Sequence, residues 1–580
     1  MAGQTVSYGE FLMKLTRRTR LNEQSILGFI ASMIAIAAVF VLLHFVRRYG
    51  QRMQDVQKEA KKPSALVAFS RKVRNMSLRS APALPSVGHA GLISLYVAVN
   101  IIVTFTNLDN NNMSMILNVA SRTGWLAMAN MVIVICLALK NTPLAFLTAW
   151  SYERLNILHQ VSGYATIIHV VIHTGCYSAY LVRSGLAGHF LEIEEIFGTA
   201  AGLSFVILGF GGVVIRRRWY ELFYYMHVTF SILAIVSVGL HQPKLSSKVI
   251  VATFLAGGIW LLDRLIRLVR LALYSTNNSV KLTPLPSGGT RVTLAKPPVG
   301  AASGKHCFLW IPRIRACETH PFTIAAVDPL EFVVSPWNGF THDLHRYAVS
   351  HPGATLRASV EGAYGTVPDA AEYDTVVLAA GGSGGSFTFG MALDMLRKLR
   401  NDASKQIVFI WAVKHNTYLD WFSSHLITLR NDDRVSCKLF VTRQPLPQMV
   451  SPMSEPNGKQ HAAIRASEMD PEKAVASYLE SQGSRISIDS EKSLPSDMET
   501  STEQMEADRR SNIHGIHITY ERPDVTALIR SAIDETPANK RVLVLGCGPA
   551  GLMTEVRNTA AACIRVEGPG VELHCEQFGW

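Results

Sequence analysis

Residues 158–173 read Leu-His159-Gln-Val-Ser-Gly-Tyr-Ala-Thr-Ile-Ile-His169-Val-Val-Ile-His173, and residues 226–241 read Met-His227-Val-Thr-Phe-Ser-Ile-Leu-Ala-Ile-Val-Ser-Val-Gly-Leu-His241. Neither stretch contains Asp, Glu, Lys or Arg, and each has two histidines fourteen residues apart. At ~100° per residue, fourteen steps return within about 40° of the starting face and advance roughly 21 Å. Each stretch thus predicts a helix with two imidazoles on one face, one near each end. Such runs recur at 24–46, 80–108, 123–139, 155–182, 196–215, 222–243 and 249–262. A bilayer span takes roughly 17–25 apolar residues, because lipid satisfies no free backbone group. Six runs meet that length. The seventh is extended by Leu265, Ile266, Leu268 and Val269 among arginines that can snorkel to the interface. Seven spans are expected within the first ~270 residues. Buried helices of a soluble protein would not produce seven such runs in succession.

Composition agrees with this uneven layout. The 580 residues carry a net charge of +12, yet only 17% are charged, against about 25% in an ordinary soluble protein. Whole-chain disorder, collagen and coiled coil are excluded. The connection 47–79 holds ten Lys and Arg, and 216–221 opens Arg216-Arg217-Arg218, so both are expected in the cytosol. The connections 109–122 and 183–195 are acidic or poor in bases and are expected outside. This alternation puts residues 265–580 in the cytosol. Lys14, Arg17, Arg18 and Arg20 dissent, since they precede the first span. That span is too long for a signal-peptide core and lacks an evident cleavage site, so it is read as retained. Six of eight cysteines fall in the cytosolic half and are expected reduced, and no CxxC suggests a structural zinc. Asn112-Met-Ser114 is a glycosylation sequon in an outward connection.

The fourth and sixth spans run in the same direction, so His159 should face His227 on the cytosolic side and His173 should face His241 on the outer side. Ionisable residues inside a membrane are costly and usually functional. Two stacked bis-imidazole sites suit two haems with both axial positions filled, which limits them to electron transfer. His169 lies about 80° off the His159 direction and is read as a bystander, with an exchange for His173 as the alternative. His44 has no matched partner and is given no role.

At this point the chain resembles the ferric reductase and NADPH oxidase family of transmembrane flavocytochromes, of the fungal ferric-chelate reductase type. That family has two histidine pairs at this spacing and a C-terminal flavin and nicotinamide module. Arg122-Thr-Gly and Asn141-Thr-Pro-Leu also look like family loop residues. Relatives often carry an Arg where Tyr164 follows Gly163. Arg154 and Arg216 to Arg218 are the substitutes considered for balancing the inner haem propionates.

Residues 280–360 alternate as strands and predict a small antiparallel barrel. It contains His320-Pro321-Phe322-Thr323, which looks like the family's flavin signature. By resemblance Phe322 stacks on the isoalloxazine, Thr323 reaches N5, His320 sits near the phosphates, and Gly339-Phe340-Thr341 holds the pyrophosphate. A hydrophobic strand then breaks into Gly381-Gly382-Ser383-Gly384-Gly385-Ser386 and a helix, the geometry that brings a pyrophosphate to a helix N-terminus. The family loop usually continues Ile-Thr where Gly385-Ser386 stands here. Lys414 at the next strand end is the candidate for reading a ribose 2′-phosphate. Gly546-Cys547-Gly548-Pro549 resembles the family's Cys-Gly-Pro segment, with Cys547 beside the nicotinamide. The terminal Phe578-Gly-Trp580 resembles an aromatic cover over the flavin. Arg522-Pro-Asp resembles a Gly-Arg-Pro-Asp segment, with Glu521 replacing the glycine.

The expected architecture is therefore a polytopic α-helical membrane domain of about seven spans plus a ferredoxin-reductase-like module. Its segments are 1–87 (first span and basic connection), 88–273 (di-haem domain), 274–370 (FAD barrel) and 371–580 (NADPH-binding α/β domain). An insert at 443–513, rich in Ser, Glu, Pro and Met, is expected to be largely disordered. The resemblance implies a multi-pass enzyme of the plasma membrane that passes electrons from NADPH through FAD and two b-type haems to a ferric or cupric chelate. Its partners are the lipid bilayer and a small acceptor, with no nucleic acid. The rivals are a superoxide-generating oxidase, a reductase of secondary metabolism and a cofactor-less scaffold.

Overall fold

The computed structural model describes residues 8–56, 65–142, 152–241, 247–399, 404–443 and 512–576. Phe578, Trp580 and nearly all of the predicted insert lie outside them. The insert's last two residues, Asn512 and Ile513, are an exception. They form a strand against residues 516 and 517, inside the segment that composition assigns to the insert.

Among the described residues, seven helices are long and apolar enough to cross a membrane. They are α1 (Tyr8–Val56), α3 (Val87–Phe105), α4 (Met115–Ala138), α5 (Tyr152–Arg183), α6 (Ile193–Val213), α7 (Tyr220–Leu240) and α8 (Ser247–Ser275), with a shorter α2 (Ala65–Leu78) between the first two. The basic cluster at 14–20 is continuous with the first apolar run in one helix, and Arg17 pairs with Asp109 at 3.3 Å. One expectation needs correction: Arg122-Thr-Gly is not a loop. It lies inside α4, and Arg122 is fully buried. Its guanidinium donates to the carbonyls of Val103, Thr106 and Asn107, which end α3, and to Asn22 Oδ1. Orphan carbonyls at a helix C-terminus attract a cation, and here they satisfy one that would be costly alone in lipid.

The second half begins with eight strands in two antiparallel sheets. Strands β1 (Ser279–Pro284), β2 (Thr290–Leu294), β5 (Ala326–Val327), β6 (Leu330–Val334) and β7 (Thr355–Arg357) pair in the order β5-β6-β2-β1-β7. Strands β3 (His306–Trp310), β4 (His320–Thr323) and β8 (Ser359–Tyr364) pair as β4-β3-β8. Alternate residues such as Val280, Leu282, Val292 and Leu294 point into one core, as period-2 patterning requires. Helix α9 (Phe340–Ser350) closes it.

Seven further strands form a sheet in the order β12-β13-β11-β10-β9-β14-β15. They are β9 (Thr375–Gly381), β10 (Gln406–Val413), β11 (Val435–Val441), β12 (Asn512–Ile513), β13 (Ile516–Thr519), β14 (Arg541–Cys547) and β15 (Gly570–Glu576). All pairs are parallel except β12 with β13. Helices α10 (Gly385–Lys398), α11 (Ser423–Arg430), α12 (Val525–Asp534) and α13 (Ala550–Ala562) cover its faces. The chain winds outward from β9 on one side and returns through β14 on the other. The crevice at the carboxyl ends of β9 and β14 is the switch point, where such sheets bind ligands.

Barrel and sheet meet at Trp421, whose indole N–H donates to Pro286 O at 2.7 Å. Nearby, His425 is buried against Phe389 and Phe422. Burial, with the Arg291 charge adding, holds its imidazole down to about 4. The unfolded chain takes up this proton near pH 6.5, so the stability of the neutral ring is intact above that pH and is lost as pH falls toward 4. Thermal unfolding at pH 5 should show a cost of about 2 kcal/mol from this ring. His425→Gln should flatten that part of the profile, and an unchanged profile would refute the assignment.

Candidate functional site

The four paired histidines come together as their spacing requires. The rings of His159 (α5) and His227 (α7) have centroids 6.1 Å apart, and those of His173 and His241 are 6.2 Å apart. Neither pair is in van der Waals stacking, with interplanar angles of 69° and 73°. Each leaves room for one atom between two nitrogens. Metal–nitrogen bonds of about 2 Å, plus roughly 1 Å from nitrogen to ring centre on each side, span about 6 Å. The hydrogen bonds fix which nitrogen faces inward. His159 Nδ1 lies 3.0 Å from Val134 O, His173 Nδ1 2.7 Å from Ala120 O, and His241 Nδ1 2.8 Å from Glu194 O. A carbonyl only accepts, so these Nδ1 atoms carry hydrogen and the Nε2 lone pairs are available as ligands. His227 Nδ1 is buried without a hydrogen-bond partner. The residues fit two bis-imidazole iron porphyrins.

Two glycines make room for the second pair. A Cβ on Gly124 would stand 2.7 Å from His173 Nδ1, and one on Gly198 would stand 2.5 Å from His241 Nδ1. Sequence alone did not single these glycines out, since nothing local says what a helical glycine faces. His169 lies off both pairs. It is buried, with Nε2 3.4 Å from Thr104 Oγ1 and Nδ1 2.7 Å from Ala165 O.

A cavity of ≈ 2290 Å³ joins the first pair to the second half of the chain. Its wall runs from His159 and His227 past Arg216, Arg217 and Arg218 to His320, Pro321, Phe322 and Thr323. It then passes Gly339 and Thr341, and ends at Gly381 to Gly384, Lys414 and Cys547. His173 and His241 do not line it. The side chain of Arg154 is outside the described residues.

The flavin-signature residues form β4. His320 stacks on Phe340 with centroids 4.4 Å apart, and its Nε2 lies 3.1 Å from Glu318 Oε2. Burial lowers its pKa, partly offset by Glu318. Phe322 packs against the barrel core, and Thr323 is partly exposed to the cavity. Gly339 has φ 86°, and a Cβ there would lie 2.6 Å from Glu221 Oε1 on α7. The Thr341 hydroxyl turns back to Trp337, accepting from its N–H at 2.8 Å. Membrane helices and barrel are further joined by Arg267 with Glu361 at 3.1 Å and by the Lys140 ammonium over the Phe308 ring.

The two glycine turns meet at the switch point. A Cβ on Gly384 would collide with the Cys547 carbonyl. One on Gly548 would lie 2.9 Å from Gly381 N, and one on Gly381 2.6 Å from Pro549 Cδ. These glycines therefore let two backbones cross, in addition to any ligand they admit. Gly546 faces Met553, and Ser383 lines the cavity. The Ser386 hydroxyl is spent on Val333 O at 3.2 Å. Burial pushes the Cys547 thiol up, with Glu576 and Cys575 adding, so it is neutral. Lys414 and Arg443 stand just beyond the ends of adjacent strands, joined by Arg443 N–H to Lys414 O at 3.0 Å. Applying the strand-end rule to β11 as well as β10 would have found Arg443.

Comparison with known families gives three successive matches. Residues 123–238 match the ferric reductase like transmembrane component, 275–368 an FAD-binding domain, and 373–561 the ferric reductase NAD binding domain. The probable cell surface ferric reductase kap2 of Aspergillus oryzae is 28% identical over 56% of this chain and 47% of its own length. Ferric reductase transmembrane component 3 of Saccharomyces cerevisiae is 26% identical over 80% of this chain and 61% of its own. Ferric/cupric reductase transmembrane component 1 of Candida albicans is 21% identical over 80% and 57%. The chain spans about half to two-thirds of the length of these relatives.

Proposed function

We propose that this chain, a member of the ferric reductase family by its three successive domains, carries electrons from cytosolic NADPH across the plasma membrane to a ferric or cupric chelate. The observation that carries this reading is the single cavity joining a bis-imidazole pair, the flavin signature and the nucleotide turns. FAD at the His320–Thr323 signature would supply the conversion of a two-electron hydride into single electrons, and b-type haems held by His159 with His227 and by His173 with His241 would supply one-electron relay. The chain's own residues hold and orient. Thr323 offers a hydroxyl toward N5, and the neutral Cys547 thiol flanks the nicotinamide without adding charge. Arg216 to Arg218, in the same cavity wall, would balance the propionates of a haem that His159 and His227 would hold. Intact cells expressing the protein should reduce ferric chelate with NADPH as electron source. Reduction abolished by superoxide dismutase would make it an oxidase instead.

Lys414 and Arg443 together suit a ribose 2′-phosphate, which offers two charge-assisted contacts. Lys414→Ala with Arg443→Ala should raise the KM for NADPH by about 10- to 100-fold, with the KM for NADH nearly unchanged. Equal effects on both coenzymes would exclude this role.

Alanine at Gly124 or Gly198 must displace a ligand ring. Either variant should weaken the absorption of the outer haem by about tenfold or more in occupancy. Alanine at Gly175 or Gly258, where a Cβ meets nothing within 4 Å and which do not line the cavity, should leave both haem signals intact.

A further inference from the structure

Helix α2 has two faces with different partners. On one, Arg71 donates to the carbonyls of Arg565, Val566 and Gly568 at 2.8–3.1 Å, Arg74 donates to Val571 O at 3.2 Å, and Leu78 packs into the core of the nucleotide-binding domain. These contacts grip the connection between α13 and β15, and α13 follows directly on the Gly548-Pro549 turn. The other face is apolar and, among the described residues, uncovered. Phe69 is 67% exposed, Val73 42% and Met76 62%. The 69, 73, 76 spacing makes a single helical stripe, flanked on one side by exposed Lys72 and Arg79.

Three observations name what covers it. The helix lies between two membrane helices, and eight residues separate Leu78 from Val87 at the start of α3. That connection reaches at most about 30 Å fully extended, so the stripe stays close to the bilayer. The stretch 60–108 contains no Asp or Glu, while Lys61, Lys62, Arg71, Lys72, Arg74 and Arg79 fall within it. An apolar stripe with a basic flank is the pattern of a helix lying in the surface of an anionic leaflet.

We propose that α2 is an interfacial clamp, with Phe69, Val73 and Met76 in an anionic leaflet and the opposite face holding the nucleotide-binding domain in place beneath the membrane helices. Lipid charge then regulates electron input, because a leaflet that holds α2 also holds α13 and the Cys547 turn. This goes beyond the proposed activity, and its first test does not depend on it.

The test uses the full chain in vesicles of phosphatidylcholine with or without phosphatidylserine, with plain or brominated acyl chains. Phe69→Trp adds emission that brominated chains should quench by roughly half. Val349→Trp, on an exposed position of the barrel helix (53% exposed), should add emission that is not quenched. NADPH-driven reduction of the haems should be roughly threefold faster with phosphatidylserine, and Lys72→Gln with Arg79→Gln should remove that difference. Unquenched Phe69→Trp emission, the result if a protein or a second copy covered the stripe, overturns the proposal. So does a reduction rate indifferent to phosphatidylserine. Membranes without haem bands but with quenched emission would refute the proposed electron path and leave the interfacial helix standing.

Discussion

His173→Ala or His241→Ala is expected to abolish the outer haem and to lower NADPH-driven reduction of an external acceptor by more than about 100-fold. Each substitution removes one of two rings whose centroids lie 6.2 Å apart. The other pair lies about 21 Å away along the same helices, so it cannot serve the outer face. Flavin-dependent reduction of a soluble dye should persist, because the cavity at Thr323 and Cys547 is lined by neither residue. His169→Ala is the control. His169 touches Thr104 and a carbonyl of its own helix, so both haem signals should survive. Survival of the outer signal in His173→Ala would remove that residue from the site.

Gly384→Ala should have the second largest effect, at the opposite end of the path. The added methyl would meet the Cys547 carbonyl, which is backbone and cannot rotate away. Overpacking of this kind costs roughly 1–3 kcal/mol, and it falls where both nucleotide turns cross. Flavin reduction by NADPH should drop by about 100-fold, while dithionite still reduces both haems. Gly353→Ala makes the contrast. Its φ is +78°, nothing lies within 4 Å of a Cβ there, and it is not part of the cavity wall, so the expected cost is only about 1 kcal/mol of backbone strain with flavin reduction by NADPH unchanged. Undiminished flavin reduction in Gly384→Ala would show that the two turns part to admit the methyl.

The parts of the molecule readable from sequence were those encoded by local period or spacing. Fourteen-residue histidine steps return to one helical face whatever surrounds them, so both pairs could be written down directly. The strand–glycine–helix pattern likewise located the turns at 381–384 and 546–548. What could not be read depends on contacts between distant segments. Gly124 and Gly198 are ordinary helical glycines until His173 and His241 are seen against them. Arg122 read as a loop residue by resemblance alone, and only the carbonyls ending α3 explain its burial inside α4. Ser386 looked like part of a looser phosphate loop, yet its hydroxyl bonds Val333 of the barrel. The joints between membrane helices and barrel, such as Arg267 with Glu361, have no signature in the chain at all.

The central claim is that two imidazole pairs hold iron porphyrins at two depths. A reduced-minus-oxidised absorption spectrum of membranes carrying the intact protein, with NADPH as sole reductant, tests it most directly. The account predicts two low-spin b-type components, one of which disappears in His173→Ala and in His241→Ala. Absence of any b-type signal, or two undiminished components in those variants, would contradict it.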